Sequence, residues 1–387
     1  MKEKLFDSIN AKKGKLIEIA DYIFDNPELS FNEVKASKVL EDYLEEEGFM
    51  VERGLGSLNT AFKAVYENGQ GGPNIGLLCE YDALPMGHGC GHHMQGPAIL
   101  GAAVAVKDLC SNKPFKLTVY GTPAEEGGGG KIIMLKEGFI KELDVALMMH
   151  GGPLTQVDVK SLAAESIRVT FHGTSSHAAL RPEQGRSALD ALLLTFQAVE
   201  FLREHVSEDT RMHYTVLDAG GAANVVPKTA VGSFSLRSYS SKYLDEVKER
   251  FSKIVQGAAL MTETTYDLVS EKRLESKVPS YILNDVIMKN AELINAPSIK
   301  PAREKTGSTD FGNVTYLLPG AVIRIAFVDE SASSHSQEFL NDGKTSKGHD
   351  AIINASKILA ATVFDLIETE NLIDEIKEEF NKTKSLL

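Results

Sequence analysis

The stretch NIGLLCEYDALPMGHGCGHHMQGPAILGAAVAVKDL, residues 74–109, decides the fold class of this chain. Residues 74–79 form a mostly apolar run that predicts a buried strand, and residues 97–109 are small and apolar enough to predict a buried helix. A turn rich in glycine, histidine and acidic residues joins the two. A strand that leads into a helix in this way favours an α/β fold with a parallel or mixed sheet.

The same alternation of strands and helices continues on both sides of this stretch. Residues 115–120 and 144–149 predict two further strands, and residues 131–137 predict a helix between them. Upstream, residues 1–48 carry apolar side chains at helical spacing, with a break at Asn26-Pro27. Helices on the faces of a mixed sheet are therefore expected.

The middle of the chain has a different pattern. Alternating or amphipathic segments follow one another as strand, helix, strand, strand, helix, strand, with Ser241 as the expected N-cap of the second helix. This order is that of a split βαβ sandwich of the ferredoxin-like type. We expect residues 164–275 to form a domain of their own, inserted into a larger domain made of residues 1–163 and 276–387.

Composition and charge narrow the class of protein. The chain has 387 residues, a formal net charge of −13 and three cysteines. Excess negative charge repels phosphate backbones, so a nucleic-acid partner is not expected. No segment has the run of about 20 apolar residues that spans a bilayer. Few cysteines and no visible signal peptide predict a cytoplasmic protein without membrane partners.

Three polar clusters follow three of the predicted strands. Glu80 and Asp82 end the first strand, Glu125 and Glu126 follow the second, and His150 ends the third. Ligands of open α/β sheets bind outside the carboxyl ends of the strands. We therefore expect these clusters to meet at one edge, although paired acids or a single histidine are by themselves more typical of a solvated surface.

The segment His88-Gly89-Cys90-Gly91-His92-His93 has the residue types of a metal site. Its glycines predict a turn that aims Cys90 and His92 at one point, and thiolate, imidazole and carboxylate together suit zinc, or manganese where oxygen ligands dominate. Because neighbouring side chains diverge, one acid of the pair after the second strand can bind metal while the other takes a proton from water. A histidine-rich solvent loop is the alternative.

Taken together, these motifs resemble the aminoacylase and carboxypeptidase-G superfamily of dinuclear metallohydrolases. The similarity is greatest to the amidohydrolase branch with aminobenzoyl-glutamate hydrolase and auxin-conjugate hydrolases. It rests on segments spread in the family's order over nearly the whole chain: Glu80-Tyr81-Asp82-Ala83-Leu84-Pro85, Gly87-His88-Gly89-Cys90-Gly91-His92, Pro123-Ala124-Glu125-Glu126-Gly127, Met148-Met149-His150, Gly173-Thr174-Ser175-Ser176-His177-Ala178-Ala179, Ala223-Asn224-Val225-Val226-Pro227 and Gly307-Ser308-Thr309-Asp310-Phe311-Gly312.

The resemblance implies a phosphorylase/hydrolase-like mixed-sheet catalytic domain with a lid that forms a homodimer or higher homo-oligomer. It also implies two divalent ions, Zn²⁺ or Mn²⁺, and a small-molecule amide substrate, with roles for particular residues. The implied metal ligands are Cys90, His92, Glu126, His150 and His335. Glu125 is the implied general base, Asp82 the acid that orients a ligand, and His177, Asn224 and Arg237 the implied substrate-binding groups of the lid.

Three departures from the family pattern leave alternatives open. Residue 93 is His where relatives usually have Asn or Asp, Gly151-Gly152 follows His150, and the segment around His335 matches loosely. One alternative is a metal-free hydrolase with Cys90 as nucleophile, which leaves the acidic pair unexplained. The other is a non-catalytic, metal-dependent binding protein on the same fold. The expected function remains hydrolysis of the amide bond of an N-acyl amino acid, an aminobenzoyl-glutamate-like conjugate or a dipeptide.

Overall fold

The computed structural model describes residues 1–387, which form two compact units. Unit 1 comprises residues 1–160 and 277–386, and unit 2 comprises residues 161–276 with the terminal Leu387. The second unit is thus an insertion in the chain of the first. None of the helices combines the length and the apolar character needed to span a bilayer.

Unit 1 is built on an eight-stranded mixed sheet. Its strands are β1 Met50–Leu55, β2 Leu58–Asn68, β3 Asn74–Cys79, β4 Phe115–Gly121, β5 Val145–Gly152, β6 Gln156–Ser161, β11 Arg303–Thr306 and β12 Gly320–Ala326. They lie in the order β1-β2-β4-β3-β5-β12-β6-β11. Strands β4, β3, β5 and β12 run parallel, whereas β1, β2 and β6 pair antiparallel to their neighbours.

Helices cover this sheet, and the most buried of them follows β3. The helices of unit 1 are α1 Lys2–Asp25, α2 Val34–Glu46, α3 Gln95–Leu109, α4 Gly130–Lys136, α7 Tyr281–Leu293, α8 Phe311–Thr315, α9 Gln337–Gly343, α10 Ser346–Glu368 and α11 Leu372–Ser385. Helix α3 is buried along nearly its whole length, and α1 and α10 pack on it. A Cβ at Gly101 of α3 would lie 2.8 Å from Leu16 of α1 and 2.6 Å from Ser356 of α10, so glycine permits the close approach.

Unit 2 has the predicted order of strand, helix, strand, strand, helix, strand. Its elements are β7 Ala163–His172, α5 Ala188–Leu202, β8 Arg211–Asp218, β9 Thr229–Ser238, α6 Ser241–Thr262 and β10 Thr265–Leu274. The antiparallel sheet runs β10-β7-β9-β8, and α5 and α6 bury their apolar faces against it. This is the ferredoxin-like arrangement expected from the sequence.

The predicted fold class is confirmed, but some local predictions need correction. The N-cap of α6 is Ser240, whose hydroxyl accepts from the Tyr243 backbone N–H, and not Ser241, which is the first helical residue. Nor does β5 end at His150, since it continues through Gly152. The β1–β2 hairpin was not predicted, because its strands are short or only partly apolar.

The parallel strands determine where the polar segments lie. Because β3, β4 and β5 are parallel neighbours, their carboxyl ends lie at one edge of the sheet. The segments that follow β3 and β4, together with the last residues of β5, carry the acids and histidines singled out in the sequence. The sheet topology therefore brings the candidate residues to one place.

Candidate active site

The turn after β3 positions a cysteine and a histidine together. Gly91 has a left-handed backbone with φ of 84°, and a short 3-10 turn starts at His92. The side chains of Cys90 and His92 are buried, with 7% and 1% of their surfaces exposed. Glycine is the residue that adopts this backbone without a steric penalty, so the sequence directs both side chains inward.

Two overlapping triads of potential metal ligands form around this turn. Cys90, His92 and His150 offer ligand atoms that lie within 4.8 Å of one another, and so do Cys90, Glu126 and His335. Cys90 belongs to both triads. All five side chains that the resemblance assigned to metal are thus adjacent, although the metal role itself stays a prediction here.

Hydrogen bonds fix which nitrogen of each histidine faces the cluster. His92 Nδ1 lies 3.1 Å from the Asp82 carbonyl oxygen and 3.2 Å from its carboxylate, so it carries the proton and leaves Nε2 facing the cluster. His150 Nδ1 donates to Gly151 O at 2.7 Å, and its Nε2 lies 3.6 Å from Cys90 Sγ. Burial, with Arg324 nearby, lowers the pKa of His150 to about 3, which keeps its imidazole neutral.

The acidic loop, residues 122–129 between β4 and α4, gives its two glutamates different environments. Glu126 points toward the triads, with Oε1 3.2 Å from His335 Nε2, and its backbone N–H donates to Asp82 Oδ2 at 3.0 Å. Glu125 offers an oxygen within 4.8 Å of ligand atoms of His92 and Glu126, and it also lies beside the carboxylates of Glu80 and Asp310. Burial and these two carboxylates raise the pKa of Glu125 to about 8. Glu125 is thus the one of the pair that lies beside Glu80 and Asp310, and the separate roles of the two acids stay predictions.

A buried lysine holds the two carboxylates beside Glu125, and sequence analysis missed it. Lys131, at the start of α4, is 0% exposed, and its Nζ donates to Glu80 Oε1 at 2.6 Å and to Asp310 Oδ1 at 2.8 Å. Burial works to raise the pKa of Glu80, but Lys131 together with His92 and His150 outweighs it and lowers the value to about 2. Gln95 donates to the other oxygen of Glu80 at 2.7 Å. The signal available in the sequence was a charged residue in the first turn of a helix, directly before four apolar residues.

The departures from the family pattern have local structural explanations. His93 points away from the triads, is fully buried and donates from Nε2 to Gly343 O at 3.0 Å. Gly151 is needed for packing, since a Cβ there would lie 2.4 Å from Met94 and 2.7 Å from Phe327. His335 is the most exposed member of the triads, with 52% of its side chain accessible and a left-handed φ of 66°.

The three predicted substrate groups lie in unit 2. His177 and Asn224 are neighbours, because residues 177 and 225 form a β-bridge and the Ala178 N–H donates to Asn224 O at 3.0 Å. Both are exposed at the surface of this unit. Arg237 lies on β9, where its Nε donates to the Ser235 hydroxyl at 3.3 Å. Their substrate roles stay predictions.

Comparison with known proteins assigns the chain to a class. Residues 163–262 match the peptidase dimerisation domain of the M20 family. Over 96% of its length the chain is 31% identical to one of the subunits of the p-aminobenzoyl-glutamate hydrolase of Escherichia coli, and it covers 93% of that protein. The chain therefore belongs to the M20 peptidase family, and it is a hydrolase.

Further relatives agree with this membership. The chain is 29% identical to the mouse Xaa-Arg dipeptidase, with 98% of the chain and 92% of that protein covered. A solved Bacillus subtilis structure, described as a dinuclear metal binding peptidase of the M20 family, has a TM-score of 0.73 at 19% identity and covers 93% of this chain and 99% of its own. The family resemblance, the fold class and the prediction of an amide-cleaving enzyme are confirmed, and the non-catalytic alternative is rejected.

Proposed function

We propose that the protein hydrolyses amide bonds with two divalent ions, Zn²⁺ or Mn²⁺, held by the two triads that share Cys90. The single observation that carries this proposal is a pair of buried ligand atoms without a hydrogen-bond partner. Neither His92 Nε2 nor Glu126 Oε1 makes a hydrogen bond, although Glu80 Oε2 lies 3.3 Å from the first and His335 Nε2 lies 3.2 Å from the second, and both atoms face the triads. A buried polar atom without a partner is costly, so a bound cation is the expected occupant.

The donor set fits this assignment. Cys90, His92 and His150 would hold one ion, and Cys90, Glu126 and His335 would hold the other. Sulfur, imidazole and carboxylate donors suit zinc and, with more oxygen, manganese. Asp82 accepts from His92 Nδ1 and so orients the ligand nitrogen, which is the usual partner arrangement for a metal-binding histidine.

The chemistry of the chain's own residues follows from these positions. Bound divalent ions supply positive charge that acidifies water and stabilises an oxyanion. Glu125 accepts a proton from the attacking water at its carboxylate and returns that proton to the leaving nitrogen. Its pKa of about 8 suits a group that must both take and give a proton near neutral pH, although nearby cations favour the ionised form and lower that value.

The alternative with Cys90 as nucleophile is not supported by its surroundings. Burial raises the pKa of the Cys90 thiol to about 11, whereas nucleophilic cysteines have lowered values. Glu126 and His335 also have no role in that chemistry. We interpret Cys90 instead as a thiol that loses its proton only when it binds a cation.

For the substrate, we propose a small amide whose amine side is an amino acid with a free carboxylate. The Escherichia coli relative is named for p-aminobenzoyl-glutamate and the mouse relative for Xaa-Arg dipeptides, and both bonds have this form. In the lid domain, proposed as residues 164–275, Arg237 is suited to a carboxylate because its guanidinium binds such a group bidentately. His177 and Asn224 are proposed to contact the amide.

We also propose that unit 2 forms a homodimer or higher homo-oligomer. It contains the match to a peptidase dimerisation domain, and its edge strand β8 exposes Tyr214, Val216 and Leu217. Exposed apolar side chains on an unpaired strand edge favour pairing with a second copy.

The three cysteines are free and buried, which fits the reducing conditions of the cytoplasm.

The test is metal analysis paired with hydrolysis. Protein purified without chelator is analysed for metals and assayed on p-aminobenzoyl-glutamate, N-acetyl amino acids and Xaa-Arg dipeptides, before and after chelation. About two ions per chain, with activity lost on chelation and restored by Zn²⁺ or Mn²⁺, supports the proposal. Activity that survives complete metal removal contradicts it.

A further inference from the structure

The connection between α1 and α2 touches the acidic loop at successive positions. Ser30 Oγ accepts from the Gly127 N–H at 3.1 Å and donates to Asp82 Oδ2 at 2.9 Å. The Phe31 ring packs on Gly128, where a Cβ would lie 2.0 Å from a ring atom. We call residues 28–33 the bracing segment. It contacts the loop that carries Glu125 and Glu126 without belonging to the metal triads.

The bracing segment ends in a buried carboxylate with an unusual set of donors. Glu33 is 0% exposed, and its Oε1 accepts from the Phe31 N–H at 2.9 Å and from the Ala124 N–H at 2.8 Å. Its other oxygen accepts from the Thr60 hydroxyl at 2.9 Å. One oxygen atom of Glu33 therefore joins the bracing segment to the residue directly before Glu125.

Both backbone groups bound by this oxygen belong to residues with strained conformations. Phe31 has φ of 69° and Ala124 has φ of 60°, and neither is glycine. Residues with a Cβ avoid this left-handed region unless the surroundings stabilise it. At Ala124 the carbonyl is also held, since it accepts from the N–H of Gly128 at 3.0 Å and of Gly129 at 2.6 Å.

The conformation at Ala124 decides where the next side chains point. Glu125 and Glu126 follow it directly, and a change from a left-handed to a right-handed or extended backbone would swing both away from their partners. Proton transfer depends on placement within a fraction of an ångström, and a misplacement of about 1 Å costs roughly 100-fold in rate. Whatever stabilises this backbone therefore acts on catalysis without touching substrate.

We propose that Glu33 is a positioning residue that stabilises the left-handed backbone at Ala124 and thereby aims Glu125 and Glu126. The catalytic part of this inference rests on the proposed function. The structural part does not, because it concerns the order of the acidic loop. The α1–α2 connection was predicted from the sequence only as a helix break. This proposal gives that connection a role in the site.

Two matched variants separate positioning from mere stability. Glu33→Met keeps the length of the side chain but removes both acceptor oxygens. Thr60→Val removes only the hydroxyl that bonds Oε2 and leaves both contacts of Oε1. We expect both variants to lower the melting temperature. We expect only Glu33→Met to lower kcat, by roughly 100-fold with KM nearly unchanged, since ground-state binding does not involve the acidic loop's proton transfer.

A readout independent of activity accompanies the kinetics. Amide hydrogen exchange is measured by mass spectrometry on peptides that cover residues 122–130. The Ala124 N–H donates to Glu33, and the N–H groups of Gly128 and Gly129 donate to the Ala124 carbonyl oxygen. We therefore expect Glu33→Met to speed the exchange of these three N–H groups and Thr60→Val to leave it unchanged. The affinity for Zn²⁺ should also fall in Glu33→Met, because Glu126 lies on the same loop.

Two further variants test the mechanism directly. Glu33→Gln keeps one acceptor oxygen, and its amide can donate to the Thr60 hydroxyl, so most of kcat should be retained. Ala124→Gly adopts the left-handed backbone freely, and when added to Glu33→Met it should restore kcat by roughly tenfold. No recovery in the double variant contradicts a role through the Ala124 backbone.

The outcomes for this inference and for the proposed function are distinct. Equal kcat and equal exchange in Glu33→Met and Thr60→Val overturn the positioning role, even if the wild-type protein is an active metallohydrolase. Failure of the wild-type protein to cleave any substrate of the panel overturns the proposed function. In that case the exchange of residues 122–130 still decides whether Glu33 orders the acidic loop.

Discussion

Replacement of Lys131 by methionine tests the buried charge network most directly. The Lys131 ammonium is fully buried and pairs with Glu80 Oε1 at 2.6 Å and Asp310 Oδ1 at 2.8 Å, with both carboxylates also buried. Methionine is close to lysine in length but removes the positive charge. Two carboxylates then remain in a buried site without their cation. Breaking a buried ion pair by removing one partner costs about 3–5 kcal/mol in the free energy of unfolding.

The loss should also depend on pH. Without the ammonium, burial and mutual repulsion raise the pKa of Glu80 and Asp310 in the folded chain above their values in the unfolded chain, which are about 4. The folded state then binds more protons than the unfolded state. The cost of Lys131→Met is therefore smallest below pH of about 4 and grows as the pH rises through the raised folded values.

The assay is urea unfolding of the metal-free protein, followed by circular dichroism at pH values from acid to neutral. Lys136→Met is the matched control, because Lys136 is an exposed residue at the other end of the same helix. We expect the control to change the free energy of unfolding by less than about 0.5 kcal/mol. A loss in Lys131→Met no larger than in this control, or one that grows toward acid pH, refutes the reasoning.

Three other predictions concern single side chains. Glu125→Gln should leave the metal content unchanged while kcat falls by orders of magnitude, and retained activity argues against its role as base. Cys90→Ser should lower metal occupancy below two ions per chain by elemental analysis. Burial works to raise the pKa of Asp158, but Arg324 and Arg303 outweigh it and lower the value, so Asp158 adds stability that is lost as the pH falls through its folded pKa. Asp158→Asn should therefore make the melting temperature depend less on pH in the acid range. An unchanged dependence contradicts the assignment.

The elements that could be predicted were those whose signals are local. Strand β3, helix α3 and the alternation in unit 2 follow from apolar spacing, and the edge where Glu80, Glu126 and His150 meet follows from parallel topology. These patterns do not depend on distant residues. The five proposed metal ligands could be named because the family resemblance, carried by local motifs, implies them.

The supporting residues could not be predicted, because their partners are far away in the chain. Lys131 pairs with Glu80 and Asp310, which are 51 and 179 positions from it, and Glu33 binds Ala124 across 91 positions. A lone lysine or glutamate in the sequence is most often a solvated surface group. Only the folded chain shows that both are buried and that each holds a loop of the site in place.

The charges at the site lead to a final prediction about metal binding. Burial raises the pKa of the Cys90 thiol to about 11, and burial with Glu80 and Asp310 raises that of Glu125 to about 8, so both hold protons at pH 7 in the metal-free chain. A bound cation requires the thiolate and favours the carboxylate, so metal uptake must release these protons.

The affinity for Zn²⁺ should therefore rise with pH, by about tenfold per pH unit for each proton released. Competition with a chelating dye from pH 6 to 8 measures this slope, and calorimetry in buffers of different ionisation enthalpy counts the protons. Cys90→Ser should release fewer protons than the wild-type protein. An affinity that stays constant over this pH range contradicts the protonated thiol, because a thiolate formed in advance would have no proton to lose.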